Sequence, residues 1–281
     1  MRRRGYTLVE LVIALVILGL VATVLSRIFI TQQRLTVSQV EQASMQANVR
    51  TGTVILTNEL RELATNAAGA TDIRAISATG LTYRAMRSLA LACQASRDTV
   101  WVRASPLFGA RPIIANRDSM MLFVEGNPST SSDDRWTRIR ITSVNPASDC
   151  SGTPAIALAT RIDTIANPLS AIVLDAPVRT YEIMELGPVL AGGHNWLGAR
   201  SVSAGESLTP LAGPITLAGL SFTYLDALGN TTATRSQVRS IRITLRGQSD
   251  WSVRPGLSDL PVQPLQDSLV TTVTLRNTPI P

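Results

Sequence analysis

From Tyr6 to Leu25 the chain carries twenty consecutive residues with a single charge among them, Glu10. Wound as a helix, that run rises about 30 Å at ~1.5 Å per residue, the thickness of a bilayer's hydrocarbon core. Arg2, Arg3 and Arg4 precede it. By the positive-inside rule they hold this end in the cytoplasm and place everything after Arg27 outside. A secretory signal peptide ends its apolar run in small residues at a cleavage site. Here the run passes instead into Arg27, Thr31, Gln32, Gln33 and Arg34. Glu10 is the feature an ordinary anchor avoids, because a lone charge inside the apolar layer costs ~2.5–3.5 kcal/mol even on the lenient insertion scale. Such a carboxylate implies function, and it needs a partner.

Composition removes several classes of activity. All 26 basic residues are arginine, so mechanisms that need a lysine, such as a Schiff base or a phosphate-binding P-loop, are out. One histidine (His194) and two cysteines (Cys93 and Cys150) are too few and too scattered for a His/Cys zinc site, and no cofactor is expected. The hydrophobic share is 45% and the net charge only +6, which argues for a packed chain over a disordered one. Arginine and a high pI suit phosphate, but a GC-rich genome also replaces lysine with arginine wholesale. The arginines are spread along the chain instead of clustered, which favours the compositional account.

The segment Met1-Arg2-Arg3-Arg4-Gly5-Tyr6-Thr7-Leu8-Val9-Glu10 resembles the signal of type IV prepilins and type II secretion pseudopilins. In that family a short basic leader ends in glycine. A dedicated prepilin peptidase cuts after it on the cytoplasmic face and methylates the new terminal amine. The resemblance implies cleavage between Gly5 and Tyr6, N-methylation of Tyr6, and a role in filament assembly for Glu10, paired with the terminal amine of a neighbouring subunit. Tyr6 departs from the family's usual Phe and keeps the aromatic bulk. The cut would remove three of the 26 arginines and leave 23 against 20 acids, a formal charge of +3.

No proline occurs before Pro106, so the helix is free to run on past the membrane. Val37, Val40 and Ala47 suggest one apolar stripe, and Val49, Leu56, Leu60, Leu63 and Ala67 continue it. Gly52 reads as a weak point for a bend, and the helix is expected to stop near Asn66 to Gly69. Beyond Ala70 the text changes to short strands and turns. Strands are expected at 99–103, 119–124, 136–142, 154–160, 171–174, 180–185, 220–225, 238–246 and 269–276. Residues 127–134 and 191–194 read as exposed loops. In the clearest strand Ile241, Ile243 and Leu245 alternate with Arg242, Thr244 and Arg246, and Ile139 and Ile141 alternate with Arg138 and Arg140. The expected fold class is α+β, a long N-terminal hydrophobic helix packed against an antiparallel β-sheet head. Residues 1–5 are the leader, 6–27 the transmembrane and filament-core helix, 28–68 its amphipathic continuation, and 69–281 the exported β-rich head.

Three head segments narrow the resemblance to PilW-like minor pilins and J-type pseudopilins. They are Asn58-Glu59-Leu60-Arg61, the run Gly219 to Asn230 followed by Val238-Arg239-Ser240-Ile241, and Val273-Thr274-Leu275-Arg276-Asn277. Roughly residues 70 to 180 stay unplaced by it. The K-type pseudopilins usually lack the carboxylate that stands here as Glu10. The resemblance implies a non-enzymatic, single-pass inner-membrane subunit whose head is exported. Its partners would be the prepilin peptidase, other minor and major pilins or pseudopilins, the inner-membrane assembly platform and the lipid bilayer. Within the fibre its place would be a tip complex that primes assembly of a pilus or pseudopilus. An alternative is a tip subunit that binds surfaces or DNA.

The other candidate residues each carry a plain reading. Cys93 and Cys150 lie on the exported side, where disulfides persist, so they form either a disulfide or two separate buried thiols. His194 is the only imidazole, and no G-x-S-x-G nucleophile turn accompanies it; a surface-loop histidine is the simpler account. Asp226 with Asn230, and Asp133 with Asp134, are explained by turn chemistry before any cation. Arg242 and Arg246, with Arg138, Arg140, Arg235 and Arg239, form a possible nucleic-acid contact. Few aromatics are available to interleave with them, so solvated strand faces are the leading account.

Overall fold

The computed structural model describes residues 7–65, 71–96, 98–109, 111–125, 129–130, 132, 135–161, 175–253 and 261–276. A single helix, α1 (Leu8–Arg61), is capped by Thr7 and runs unbroken for 54 residues, about 80 Å at ~1.5 Å per residue. It ends earlier than the Asn66–Gly69 stop expected from sequence, and tertiary hydrogen bonds are the reason. Ala64 N donates to Asp72 Oδ2 at 2.9 Å, Thr65 Oγ1 donates to Val238 O at 2.7 Å, and Leu63 is 1% exposed in the head core. These contacts draw the backbone out of helical register one turn after Arg61.

The buried stripe of α1 is Met45, Val49, Gly52, Thr53, Leu56 and Leu60. Val49, Leu56, Leu60 and Leu63 are buried as expected, at roughly 2 kcal/mol for each fully buried leucine. Val37, Val40 and Ala47 are exposed, which corrects the stripe expected there. Partly covered Thr31, Leu35, Ser38 and Glu41 instead lead into Met45 at spacings of three and four. Gly52 is no bend. A Cβ there would lie 2.8 Å from Ala212 Cβ and 3.0 Å from Leu245 Cδ2, so its missing side chain lets helix and sheet approach closely.

The head is one antiparallel sheet built from β1 (Ile73–Ile76), β2 (Leu81–Ala95), β3 (Thr99–Arg103), β4 (Phe108–Gly109), β5 (Ser119–Val124), β6 (Arg135–Cys150), β7 (Thr153–Arg161), β8 (Pro177–Ala191), β9 (His194–Ser201), β10 (Thr209–Leu225), β11 (Ser240–Val253) and β12 (Gln263–Thr274). The strand order is β1-β2-β3-β7-β6-β5-β8-β9-β10-β11-β12, with β4 on β2. Because β2 also pairs with β8, the strands β2, β3, β7, β6, β5 and β8 close a six-stranded ring. Its interior is filled by Ala90, Val102, Met120, Leu122, Ile141 and Leu158, among others, as a small barrel requires. Outside the ring, β10, β11 and β12 lie against α1, and Leu56, Leu60, Tyr83, Phe222, Ile241 and Leu245 belong to this second core.

The long strands β2 and β8 belong to both cores. A register shift between Met86 and Ser88 re-aims β2, so Leu81, Tyr83 and Ala85 face the helix while Ala90 and Ala92 face the barrel interior. The barrel falls within the stretch that resembled nothing in the sequence. Strands expected at 99–103 and 119–124 coincide with β3 and β5, and 136–142, 154–160, 180–185 and 220–225 lie inside longer strands. β11 and β12 start and stop a few residues away from the expected 238–246 and 269–276. The strand expected at 171–174 lies outside the described residues. Residues 191–194 are no loop: Ala191 pairs with His194 around Gly192 and Gly193, whose φ values of 58° and 80° make the two-residue hairpin turn glycine is suited to.

Candidate functional site

At the start of α1 the side chains of Thr7 and Glu10 cap each other reciprocally. Glu10 N donates to Thr7 Oγ1 at 3.2 Å, while Thr7 N and Thr7 Oγ1 donate to Glu10 Oε2 at 2.9 and 3.1 Å. The carboxylate that sequence left without a partner is therefore satisfied inside its own chain, at the helix end where the dipole favours negative charge. Gly5 and Tyr6 lie outside the described residues. From Leu8 to Ile30 the helix is exposed on every side and apolar on nearly every side, and no part of the head covers it. It is the one helix among the described residues long and apolar enough to cross a membrane.

The family model described as the prokaryotic N-terminal methylation motif matches residues 1–26. This amino terminus is type IV prepilin-like. Its match takes in Gly5, Tyr6 and Glu10, and it marks the segment as one recognised by a prepilin peptidase, followed by a helix that anchors the chain in the membrane by a single pass. No curated protein and no solved structure matches the chain.

All three segments that carried the sequence resemblance meet in space. Arg276 N donates to Arg61 O at 2.9 Å, Leu275 N donates to Arg239 O at 2.9 Å, and Arg276 Nη1 lies 3.5 Å from Glu62 Oε1. The end of β12 therefore returns to the end of α1 and satisfies a carbonyl that the last helical turn leaves open.

Between the helix-facing core and the barrel core lies a charged layer that sequence reasoning missed. Glu182, 1% exposed on β8, is its hub. Arg87 Nε donates to Glu182 Oε1 at 2.5 Å, Arg117 Nε donates to Oε2 at 2.6 Å, and Arg111 Nη2 lies 3.2 Å from Oε1. Arg87 also reaches Glu59 on α1 at 3.1 Å, and Tyr83 OH donates to the same carboxylate at 3.2 Å. Arg117 continues to Glu206 at 2.9 Å, and Arg111 forks onto Asp118 at 2.6 and 2.7 Å. Burial pushes the Glu182 carboxyl up, but hydrogen bonds from Arg117, Arg87 and Ser201 outweigh it and hold the group at about 2. Burial pushes the Tyr83 hydroxyl far above its ordinary range, which keeps it a donor to Glu59. The layer ties helix, β2, β8 and the 111–118 segment together. Its signal in the sequence was a glutamate in an apolar strand, Tyr181-Glu182-Ile183-Met184.

The remaining candidates are dispersed. Cys93 and Cys150 form a disulfide with Cα atoms 5.4 Å apart, joining β2 to β6 across the two strands between them in the ring. His194 begins β9, half-buried. Asp226 Oδ1 accepts from Leu228 N and Asn230 N, both at 2.9 Å, which is the turn chemistry expected of it; Asp133 and Asp134 lie outside the described residues. Among the described residues no three His, Cys, Asp or Glu side chains gather as a metal site. Arg242 and Arg246 are exposed on β11, flanked across the strands by Thr223, Thr272 and Ser268 with no ring beside them.

Proposed function

We propose that this chain is a minor pilin or pseudopilin: a non-enzymatic subunit cut between Gly5 and Tyr6, methylated there, and joined to other minor subunits in a complex that primes a pilus or secretion pseudopilus. The reading is carried by the methylation motif standing on a helix that is exposed on every side from residue 8 to residue 30. About 34 Å of bare helix at ~1.5 Å per residue crosses a bilayer, and suits equally a stack of like helices. In such a stack a neighbour's terminal amine would replace the Thr7 contacts of Glu10, exchanging a cap within one chain for an ion pair between two. The PilW-like and J-type resemblance of residues 58–61, 219–241 and 273–277 supports a tip position. The test is processing and assembly in cells. Gly5→Leu should retain the five-residue leader by mass, and Glu10→Ala should be processed yet fail to enter fibres. Normal fibres containing both variants would refute the proposal.

A tip subunit that binds DNA is the second reading, and one observation favours it. On the barrel's outer face Arg179 Cζ lies 5.5 Å over the Trp136 ring, Phe123 packs edge-on to Trp136 at 5.7 Å, and Arg138 and Arg140 are exposed beside them on β6. Rings with interleaved arginines are what a single strand stacks on. The expected result is a single-stranded DNA shift that weakens steeply with salt, is lost with Arg138→Ala plus Arg179→Ala, and persists with Arg242→Ala plus Arg246→Ala. The absence of a shift at low salt would remove this reading.

A further inference from the structure

The hairpin of β11 and β12 extends alongside α1 toward the membrane. Ser252, Val253 and Val262 share a groove with Ile30, Gln33, Arg34 and Val37 of the helix. The helix surface stays apolar through Ile28, Phe29 and Ile30, with only Ser26 and Arg27 interrupting it. The run Leu8–Ile30 is about 34 Å long at ~1.5 Å per residue, enough to fill the hydrocarbon core while the Arg27 stem reaches the headgroups. Val37 is then only about 10 Å beyond Ile30 along the helix, and the polar layer on each side of a bilayer is ~5–7 Å deep. The groove therefore lies at or just above the outer headgroups.

The side chains at this end of the two strands fit that level. Trp251 is 72% exposed and Val262 55% exposed, while Val253 beside them is seated against the helix at 7%. An indole half apolar and half hydrogen-bonding has its best solvent at a membrane interface. Its position is fixed, not loose. Ser249, 2% exposed, donates to Trp251 O at 2.6 Å and accepts from Leu265 N at 2.9 Å, pinning both strands where their register shifts. Lower down the hairpin's neck, Gln46 of α1 donates to Asp267 of β12 at 3.3 Å.

We propose that the β11–β12 hairpin is a second membrane contact: Trp251 and Val262, at its membrane-proximal end, meet the exported face of the bilayer that α1 crosses, with the Trp251 indole among the headgroups. The contact sets the tilt of the head above the membrane while the subunit is still held there. This inference rests on the membrane-spanning reading of the Leu8–Ile30 helix.

The test places the full chain, at low protein-to-lipid ratio, in phosphatidylcholine–phosphatidylglycerol vesicles in which part of the phosphatidylcholine carries a nitroxide quencher on its headgroup. Expected is a loss of tryptophan emission, relative to unlabelled vesicles, of up to the share that one of the four tryptophans contributes. Trp251→Phe should abolish that loss, and both proteins should float with the vesicles. Equal quenching of both, or of neither, with flotation intact overturns the hairpin contact and leaves the spanning helix standing. Quenching seen only at high protein-to-lipid ratio assigns this end of the hairpin to a neighbouring copy and overturns the contact as well. Loss of flotation overturns the spanning helix, and the contact with it.

Discussion

Glu182→Ala should lower the stability of the full chain in detergent by about 3–5 kcal/mol, on the order of 10 °C in its thermal midpoint. The variant removes the one carboxylate shared by Arg87, Arg117 and Arg111 and leaves their charges facing each other between two apolar cores. Glu182→Gln keeps the shape and one acceptor and should fall between the two. The pH dependence has a definite sign. The folded carboxyl sits at about 2, below its ordinary 4.5, so its contribution is complete above 4.5 and is lost as pH falls from there toward 2. By linkage the shift amounts to roughly 3 kcal/mol. Asp72 works in the opposite sense, because burial raises its carboxyl and acid relieves that cost. Wild-type protein should therefore lose midpoint across that window, while Glu182→Gln shows a flatter profile. Equal midpoints for wild type and Glu182→Ala at neutral pH would show that the layer contributes nothing.

Removing the Cys93–Cys150 bridge is the second large effect. The crosslinked residues are 57 apart in sequence, and chain-entropy reasoning assigns such a closure about 4 kcal/mol. The loss should be local first. The bridge joins β2 to β6, which are not neighbours in the ring, so it braces one end of the barrel, and neither cysteine belongs to the core that packs on α1. Limited proteolysis of the reduced chain should cut between Cys93 and Cys150 well before it cuts β10, β11 or β12. Cutting in the same order and at the same rate with and without reductant would contradict this.

How much of this was legible beforehand depended on local regularity. β3 and β5 fell on their expected residues because their alternation is clean and their bounds are turns. β2 escaped because its bulge at Arg87 switches which parity is buried, so the strand shows no single period. β9 begins His194-Asn195-Trp196 and contains Gly198, a composition that argues for a loop until the Gly192–Gly193 turn is recognised. On α1, Val37 and Val40 outvoted Ser38 and Glu41 as core candidates, because hydropathy cannot tell lipid or solvent from a partly covering sheet. Gly52 was misjudged for a related reason: a glycine that softens a helix and one that admits a neighbour look identical in sequence. The charged layer had no legible spacing at all. Its members at 59, 87, 111, 117, 182 and 206 converge only once the barrel has closed.

The ring also has a seam. Its chain departs from the helix-facing sheet at Met86 and returns at Tyr181, and those two residues are partners on one rung of the β2–β8 ladder. Everything between them is, topologically, one very long hairpin loop folded into a body of its own. Shortening it to a turn, or exchanging it for another body, would leave both edges of the cut already aligned and the strands on α1 in place. The head is thus divided into a part that stays with the stem and a cassette joined to it at the Met86–Tyr181 rung and through the arginines of the charged layer, which any replacement body would have to supply again.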